Sequence, residues 1–322
     1  MTQISADVNI PNERGNCVPM RKTSLYKFHL VALWTVRTFL FTICLTGPVA
    51  DALSYERDQE FYNYFRNWFA RVDKSQEQQP HWMTPIVTDT PRLEEEIRED
   101  FIWQKRLNGN YQNSYGGQKG LELIPTENTE IIIGIPTYQV IRTPKKPFKE
   151  EGLVDENLLL KYRFLAANEE HGNYILTGFL GMTIPTGVDA FSTKQIVYTP
   201  TLAAGKGWGT RRAGFDIQST VSASIPDGHE KAIGVPIVWN TALQPYGFKY
   251  LWPEVEFGYT HWIDGQTTTK NKNQWTITPG LILGRFPIWE RVRAVVGLGY
   301  QTPITSFRTQ NHTWLLTVRF PF

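Results

Sequence analysis

From about Pro91 to Phe322 the chain alternates apolar and polar residues with period two, which predicts a succession of long antiparallel strands. Ala213–Pro226 is the clearest stretch. Phe215, Ile217, Val221, Ala223 and Ile225 alternate there with Asp216, Gln218, Thr220, Ser222 and Ser224. Leu158, Leu160, Tyr162 and Phe164 alternate with Asn157, Lys161 and Arg163, although Leu159 breaks the polar side. Val255, Phe257 and Tyr259 oppose Glu254, Glu256, Gly258 and Thr260. Val292, Ala294, Val296, Leu298 and Tyr300 oppose Arg293, Gly297, Gly299 and Gln301. Trp314, Leu316, Val318, Phe320 and Phe322 oppose Thr313, Thr317 and Arg319. One face of each strand is greasy and the other small, polar or charged. Soluble sandwiches alternate too, so alternation alone does not decide between them and a membrane barrel.

Length, loop parity and the last strand do. The segments run about a dozen residues, roughly twice a usual globular strand and near a tilted membrane crossing of ~10. They are expected at 91–107, 119–125, 129–141, 153–165, 173–185, 195–206, 213–226, 234–247, 252–264, 274–286, 291–303 and 312–322. Odd-numbered connections are then longer than their even neighbours throughout, as external loops are longer than periplasmic turns. Trp262, Trp275 and Trp314 border the expected loops, and Trp208, Trp252 and Trp289 the expected turns, giving two interfacial belts. Trp314, Leu316, Val318, Phe320 and a final Phe322 form the pattern read by the barrel-assembly machinery. The expected fold is all-β: a single closed antiparallel transmembrane β-barrel of about 12 strands, with a short N-terminal helical segment.

Upstream of the strands the pattern changes. In 53–72, Phe61, Phe65, Trp68, Phe69 and Val72 share a helical face opposite Glu60, Asn63, Asn67 and Arg71, which predicts an amphipathic helix. Asp73–Pro80 reads as a polar linker. Residues 1–52 read as a signal-peptide region. Arg21 and Lys22 precede an apolar run from Thr38 to Val49, and Ala50-Asp51-Ala52 offers a cleavage site, with Met20 as an alternative start. A membrane anchor is the weaker reading because Arg37 interrupts the run, and lipidation at Cys44 is disfavoured by the bulk of Ile43. The expected organisation is a leader over 1–52, a periplasmic or plug segment over 53–90, and the barrel over 91–322.

Composition narrows the chemistry. Lys+Arg 33 against Asp+Glu 31, with no basic stripe, gives no sign of a nucleic-acid partner. Both cysteines, Cys17 and Cys44, lie in the leader, so the mature chain has no disulfide and no thiolate chemistry. His81, His171, His229, His261 and His312 stand alone without metal-ligand spacing, so no metal or cofactor is expected. Gly205-Lys206-Gly207-Trp208-Gly209 lacks phosphate-loop spacing and reads as a turn. Ser222 and Ser224 have no histidine on the same face nearby, so no catalytic residue is proposed and an outer-membrane enzyme is the third reading. The run Leu93–Asp100 fits a membrane strand poorly, since alternation would turn Glu95 and Glu99 toward lipid; a later strand start or a helix would relieve this.

The polar phase carries Lys161, Arg163, Asp216, Glu254, Glu256, Arg293 and Arg319 as candidates to line the lumen. They would form either a salt-bridged filling or a charged constriction that selects solutes. Eight-stranded barrels are filled and those of sixteen or more are open; twelve lies between. The leading reading is a passive outer-membrane channel or transporter with outer-membrane lipids, the assembly machinery and a small-molecule solute as partners. A structural or adhesive barrel with a closed lumen is the alternative.

Several segments resemble the outer-membrane family labelled putative MetA-pathway of phenol degradation. These are Gly120–Thr126, Leu158–Phe164, Glu169–Gly181, Tyr198–Gly209, Pro253–Gly265 and Gly284-Arg285-Phe286-Pro287, within a match running from about His81 to Phe322. The resemblance implies an outer-membrane barrel for uptake of aromatic or other hydrophobic compounds, and it brings no catalytic residues.

Overall fold

Strand alternation closes on itself in three dimensions. The computed structural model describes residues 53–322 apart from 108, 118, 144–148 and 229, with backbone alone for 53–58 and 231–232. The leader region, both cysteines and His229 lie outside the described residues. The chain divides into two units, Met1–Tyr64 and Phe65–Phe322. The described part of the first is helical, within α1 (Leu53–Arg66), and its Phe61 and Tyr62 are exposed. The second unit opens with α2 (Trp68–Glu77), so the helical stretch passes through the segment expected to be a linker.

The wall follows as β1 (Glu96–Arg106), β2 (Tyr111–Tyr115), β3 (Gly120–Thr126), β4 (Thr129–Gly134), β5 (Tyr138–Arg142), β6 (Lys149–Leu153), β7 (Glu156–Ala167) and β8 (Tyr174–Ile184). It continues as β9 (Val197–Gly209), β10 (Gly214–Ala223), the short β11 (Ile225–Pro226), a helical turn α3 (Glu230–Ile233), β12 (Val235–Tyr246), β13 (Leu251–Asp264), β14 (Asn273–Trp289), β15 (Val292–Pro303) and β16 (Gln310–Pro321). All pairings are antiparallel, and β16 returns to β1 from Glu96↔Pro321 to Arg106↔Gln310. The result is a closed 12-stranded barrel. Three adjacent wall positions are built from two segments each: β2 with β3, β4 with β5, and β6 with β7. β2 and β5 pair above the level at which β3 and β4 pair.

The end holding Glu96 and Pro321 is the lower mouth. Its connections span 127–128, 168–173, 210–213, 247–250 and 290–291; those at the upper mouth span 107–110, 143–148, 185–196, 224–234, 265–272 and 304–309. Each upper connection is longer than the lower connections next to it in the chain, except that 143–148 equals 168–173 in length. The expected asymmetry therefore holds without being strict.

The outer face is apolar. Leu160, Val221 and Leu298, turned outward by the phase read from the sequence, are 47–50 % exposed, and Leu180, Leu202 and Leu281 join them at 40–55 %. Aromatic pairs flank this band: Trp239–Trp275, Tyr259–Trp275 and Tyr300–Trp314 toward the upper mouth, and Trp208–Phe215 and Tyr250–Phe286 toward the lower. Trp252, expected in the lower belt, instead points into the lumen and is buried. The strand expected to begin at 91 begins at Glu96. Glu95 does not meet lipid: it is buried and accepts hydrogen bonds from Trp68 Nε1 (2.5 Å) and the Ile124 N–H (2.7 Å).

Candidate functional site

The lumen is occupied by the chain itself. After α2, residues 81–95 enter from the lower mouth, turn near Thr88-Asp89 and return to start β1. Trp82, Met83, Thr84, Ile86, Thr88, Thr90, Arg92, Leu93, Glu94 and Glu95 are all at most 6 % exposed. Pro80, Pro85 and Pro91 lack an N–H and disfavour both helix and ladder pairing, so this stretch stays irregular and its backbone polar groups need partners elsewhere.

The inward charges supply those partners. Glu256 accepts the N–H groups of Val87 (2.7 Å) and Thr88 (2.5 Å), and Glu254 that of Ile86 (3.1 Å). Arg319 donates to the carbonyls of Thr84 and Pro85, and Arg98 to that of Ile86 (2.9 Å). Lys161 pairs with Glu130 at 2.9 Å and donates to the Arg92 carbonyl, while Glu130 accepts the Glu94 N–H (2.7 Å). Arg163 reaches the Ser75 carbonyl (2.7 Å) in the last turn of α2. Asp216 accepts from Gln218, which itself donates to the Met83 carbonyl and accepts from Thr90 Oγ1. Burying this much charge is tolerable where the charged groups are also hydrogen-bonded to backbone, as at Glu254, Glu256, Arg98, Arg319 and the Lys161–Glu130 pair.

Four of the seven sequence-derived lumen candidates thus bond the segment directly, Lys161, Glu254, Glu256 and Arg319; Asp216 reaches it through Gln218, and Arg163 holds the end of α2 just before it. Arg293 stands apart. It is half-buried at the lower mouth beside the 290–291 turn and donates to the Glu290 and Val292 carbonyls. Sequence reasoning missed Arg98, Glu130, Gln218 and Arg285. Arg285, at φ 57°, donates to the carbonyls of His81 and Trp82 (2.9 and 2.8 Å).

Shape matches as well as polarity. Ile86 packs with Met83, Trp252, Ile282 and Val295 in an apolar cluster inside the lumen. Gly280, Gly297 and Gly299 make room for it: an added methyl at these positions would stand 2.8, 3.2 and 3.4 Å from Ile86 carbons. Gly205 and Gly207, read from sequence as part of a turn, lie in β9 and leave space for Trp82.

Helix α2 lies across the lower mouth, tied to four turns. Lys74 pairs with Glu127 (2.6 Å), Asp73 with Arg291, Glu77 with Arg211 (3.2 Å), and His81 bridges Glu77 and Glu169. Arg291 holds the Asp73 carboxyl below the usual range. Burial raises Glu169, but hydrogen bonds from the His81 ring and backbone N–H outweigh it and hold the carboxyl at about 2. Beside His81, a cavity of about 390 Å³ opens among Glu169, Arg211, Arg212, Lys249, Trp252 and Arg285.

No protein-family model matches this chain, and neither does any curated protein sequence. Among solved structures, the COG4313 outer membrane channel from Pseudomonas putida F1 is 12 % identical over 70 % of this chain and 92 % of that one, with a TM-score of 0.43. The NanC porin is 8 % identical over 70 % of this chain and 98 % of its own, with a TM-score of 0.42. The transport unit of the autotransporter AIDA-I from Escherichia coli is 12 % identical over 70 % and 88 %, with a TM-score of 0.35. At these scores the likenesses carry no weight for function, which rests on the geometry above.

Proposed function

We propose that this protein is an outer-membrane channel whose lumen is closed from the lower, periplasmic side by its own N-terminal segment, and that small solutes pass when the segment shifts. The apolar band between two aromatic girdles fits a hydrocarbon layer, since a wall this greasy would aggregate in water. The observation that carries the channel reading is the identity of the filling. A twelve-stranded wall encloses more space than its own side chains occupy, and the remainder is taken by residues 81–95, whose backbone runs on into the wall at β1 and meets it elsewhere only through side chains. Displacing that segment opens a pore without breaking a single wall ladder.

The solute is small; aromatic or hydrophobic compounds, the class implied by the sequence resemblance, find no support from a family model. The rival reading, a closed structural barrel, is favoured by the apolar cluster around Ile86, which packs like a folded core. Ile86→Cys with Gly299→Cys separates the two, because an added Cβ at 299 lies 3.4 Å from Ile86 Cγ2, within reach of a disulfide. In planar bilayers the oxidised protein should stay closed and the reduced protein should conduct. Equal silence in both states sinks the channel reading.

A further inference from the structure

The tip of the lumen segment does not reach the upper mouth. Above Asp89 lies a cavity of about 500 Å³ whose polar lining is Asn157, Thr183, Thr199, Thr201, Ser222 and Ser224 of β7 to β10 and the residue after β10, with Thr193 from the loop between β8 and β9. These alternate with apolar Ile132, Leu159, Val197, Ile233 and Pro236. Among the described residues the only charges on its lining are Asp89 and Lys119, and these two neutralise each other in an ion pair at its floor. No described lining residue is aromatic. The lumen is therefore divided: ionic below, where the segment is bound, and neutral above, with hydroxyls interspersed among aliphatic side chains.

We propose that this upper cavity is a binding site for a neutral polyhydroxylated solute of mono- to disaccharide size. As the solute class of the channel this rests on the preceding reading; as a binding site it stands alone. An ion entering the cavity would lose hydration and meet no counter-charge, the one cation being already paired. A wholly apolar or aromatic solute would cover Ile132, Leu159 and Val197 but bury the hydroxyls and an amide without replacing their hydrogen bonds to water, whereas a sugar offers C–H faces to the former and hydroxyls to the latter. A polyol does neither, because each of its hydroxyls donates and accepts, as do those of Ser and Thr. The existing bonds between lining groups are long and easily exchanged: Thr183 to Asn157 is 3.3 Å and Thr199 to Ser224 is 3.4 Å. The volume falls within the ~300–1,000 Å³ of ordinary ligand pockets.

The test measures saturable binding of glucose, sucrose, gluconate and benzoate to the purified full-length barrel in detergent, by ligand-observed NMR. Vesicle swelling with the same four solutes is measured in parallel. Glucose or sucrose should bind more tightly than gluconate and benzoate. Thr201→Val and Ser222→Ala, which remove a hydroxyl with little change of volume, should each weaken sugar binding about tenfold without altering heat-modifiable migration of the folded barrel. Benzoate binding as tightly as sucrose, absence of saturable sugar binding, or undiminished binding in both folded variants would overturn the proposal. Sugar binding to a barrel that remains impermeable after the segment is displaced upholds the site and overturns only the channel reading.

Discussion

Glu256→Ala probes how firmly the lumen is closed. The carboxylate is 2 % exposed and is the acceptor for two consecutive N–H groups at the turn of the lumen segment, Val87 at 2.7 Å and Thr88 at 2.5 Å. Hydrogen bonds to a charged acceptor contribute roughly 1.5–3 kcal/mol each, so the pair amounts to about 3–6 kcal/mol. Water entering the space vacated by the side chain restores part of this, leaving a net loss of about 2–3 kcal/mol. The wall keeps its ladder, so the loss falls on the equilibrium between seated and displaced segment. The displaced population then rises roughly 30- to 150-fold. Single-channel recording reads this as a proportionate rise in open probability. Glu256→Gln, which retains an acceptor oxygen, should lie between the parent and the alanine variant. A folded Glu256→Ala barrel with the closed-time distribution of the parent would refute the reasoning.

Other outcomes follow from separate parts of the structure. Glu169 titrates near 2 when folded, below its ordinary value, so its attachment to His81 is complete above about pH 4.5 and lost as pH falls toward 2; Trp82 fluorescence should shift over that window, and His81→Ala should abolish the shift. Leu298→Arg places a charge among outward Leu281, Leu298 and Leu316, between the two girdles, and should cost ~2–4 kcal/mol of folding into vesicles, checked by urea titration. Phe322→Ala should lower the yield of assembled barrel in cells while leaving refolding of purified protein into vesicles unchanged, since the residue lies beyond the last strand and its N–H bonds to the Glu95 carbonyl (3.0 Å) from backbone alone.

The wall was legible because a membrane strand repeats one simple rule. Alternation at Leu158–Phe164 and Phe215–Ile225 assigned the correct faces, and the exposed Leu160, Tyr162, Phe164 and Val221 stand where it put them. A plug was one of two readings of 53–90, but the course of residues 81–95 through the lumen was not legible, because they carry no period: their backbone is satisfied by side chains distant in sequence, such as Glu254 and Arg319. Two signals did point to it. Pro85 and Pro91 interrupt a stretch too apolar for a linker, and the inward charges outnumber the partners that strand register alone provides. Arg293 was misplaced for a local reason, since alternation gives a face but not a height, and 293 sits at the strand end beside a turn. Trp252 was placed at the correct height and on the wrong face.

The seam between β1 and β16 joins the two most distant parts of the wall in sequence, and the lumen segment leads directly into β1. Once that seam zips, residues 82–95 are surrounded on all sides. The order of events during biogenesis is thereby constrained: the segment is either gathered in before the last ladder forms or threaded afterwards through a mouth that its own helix covers. Ring closure over so long a separation is intrinsically slow, which gives the segment time to settle first and makes it a mould around which the cylinder is completed.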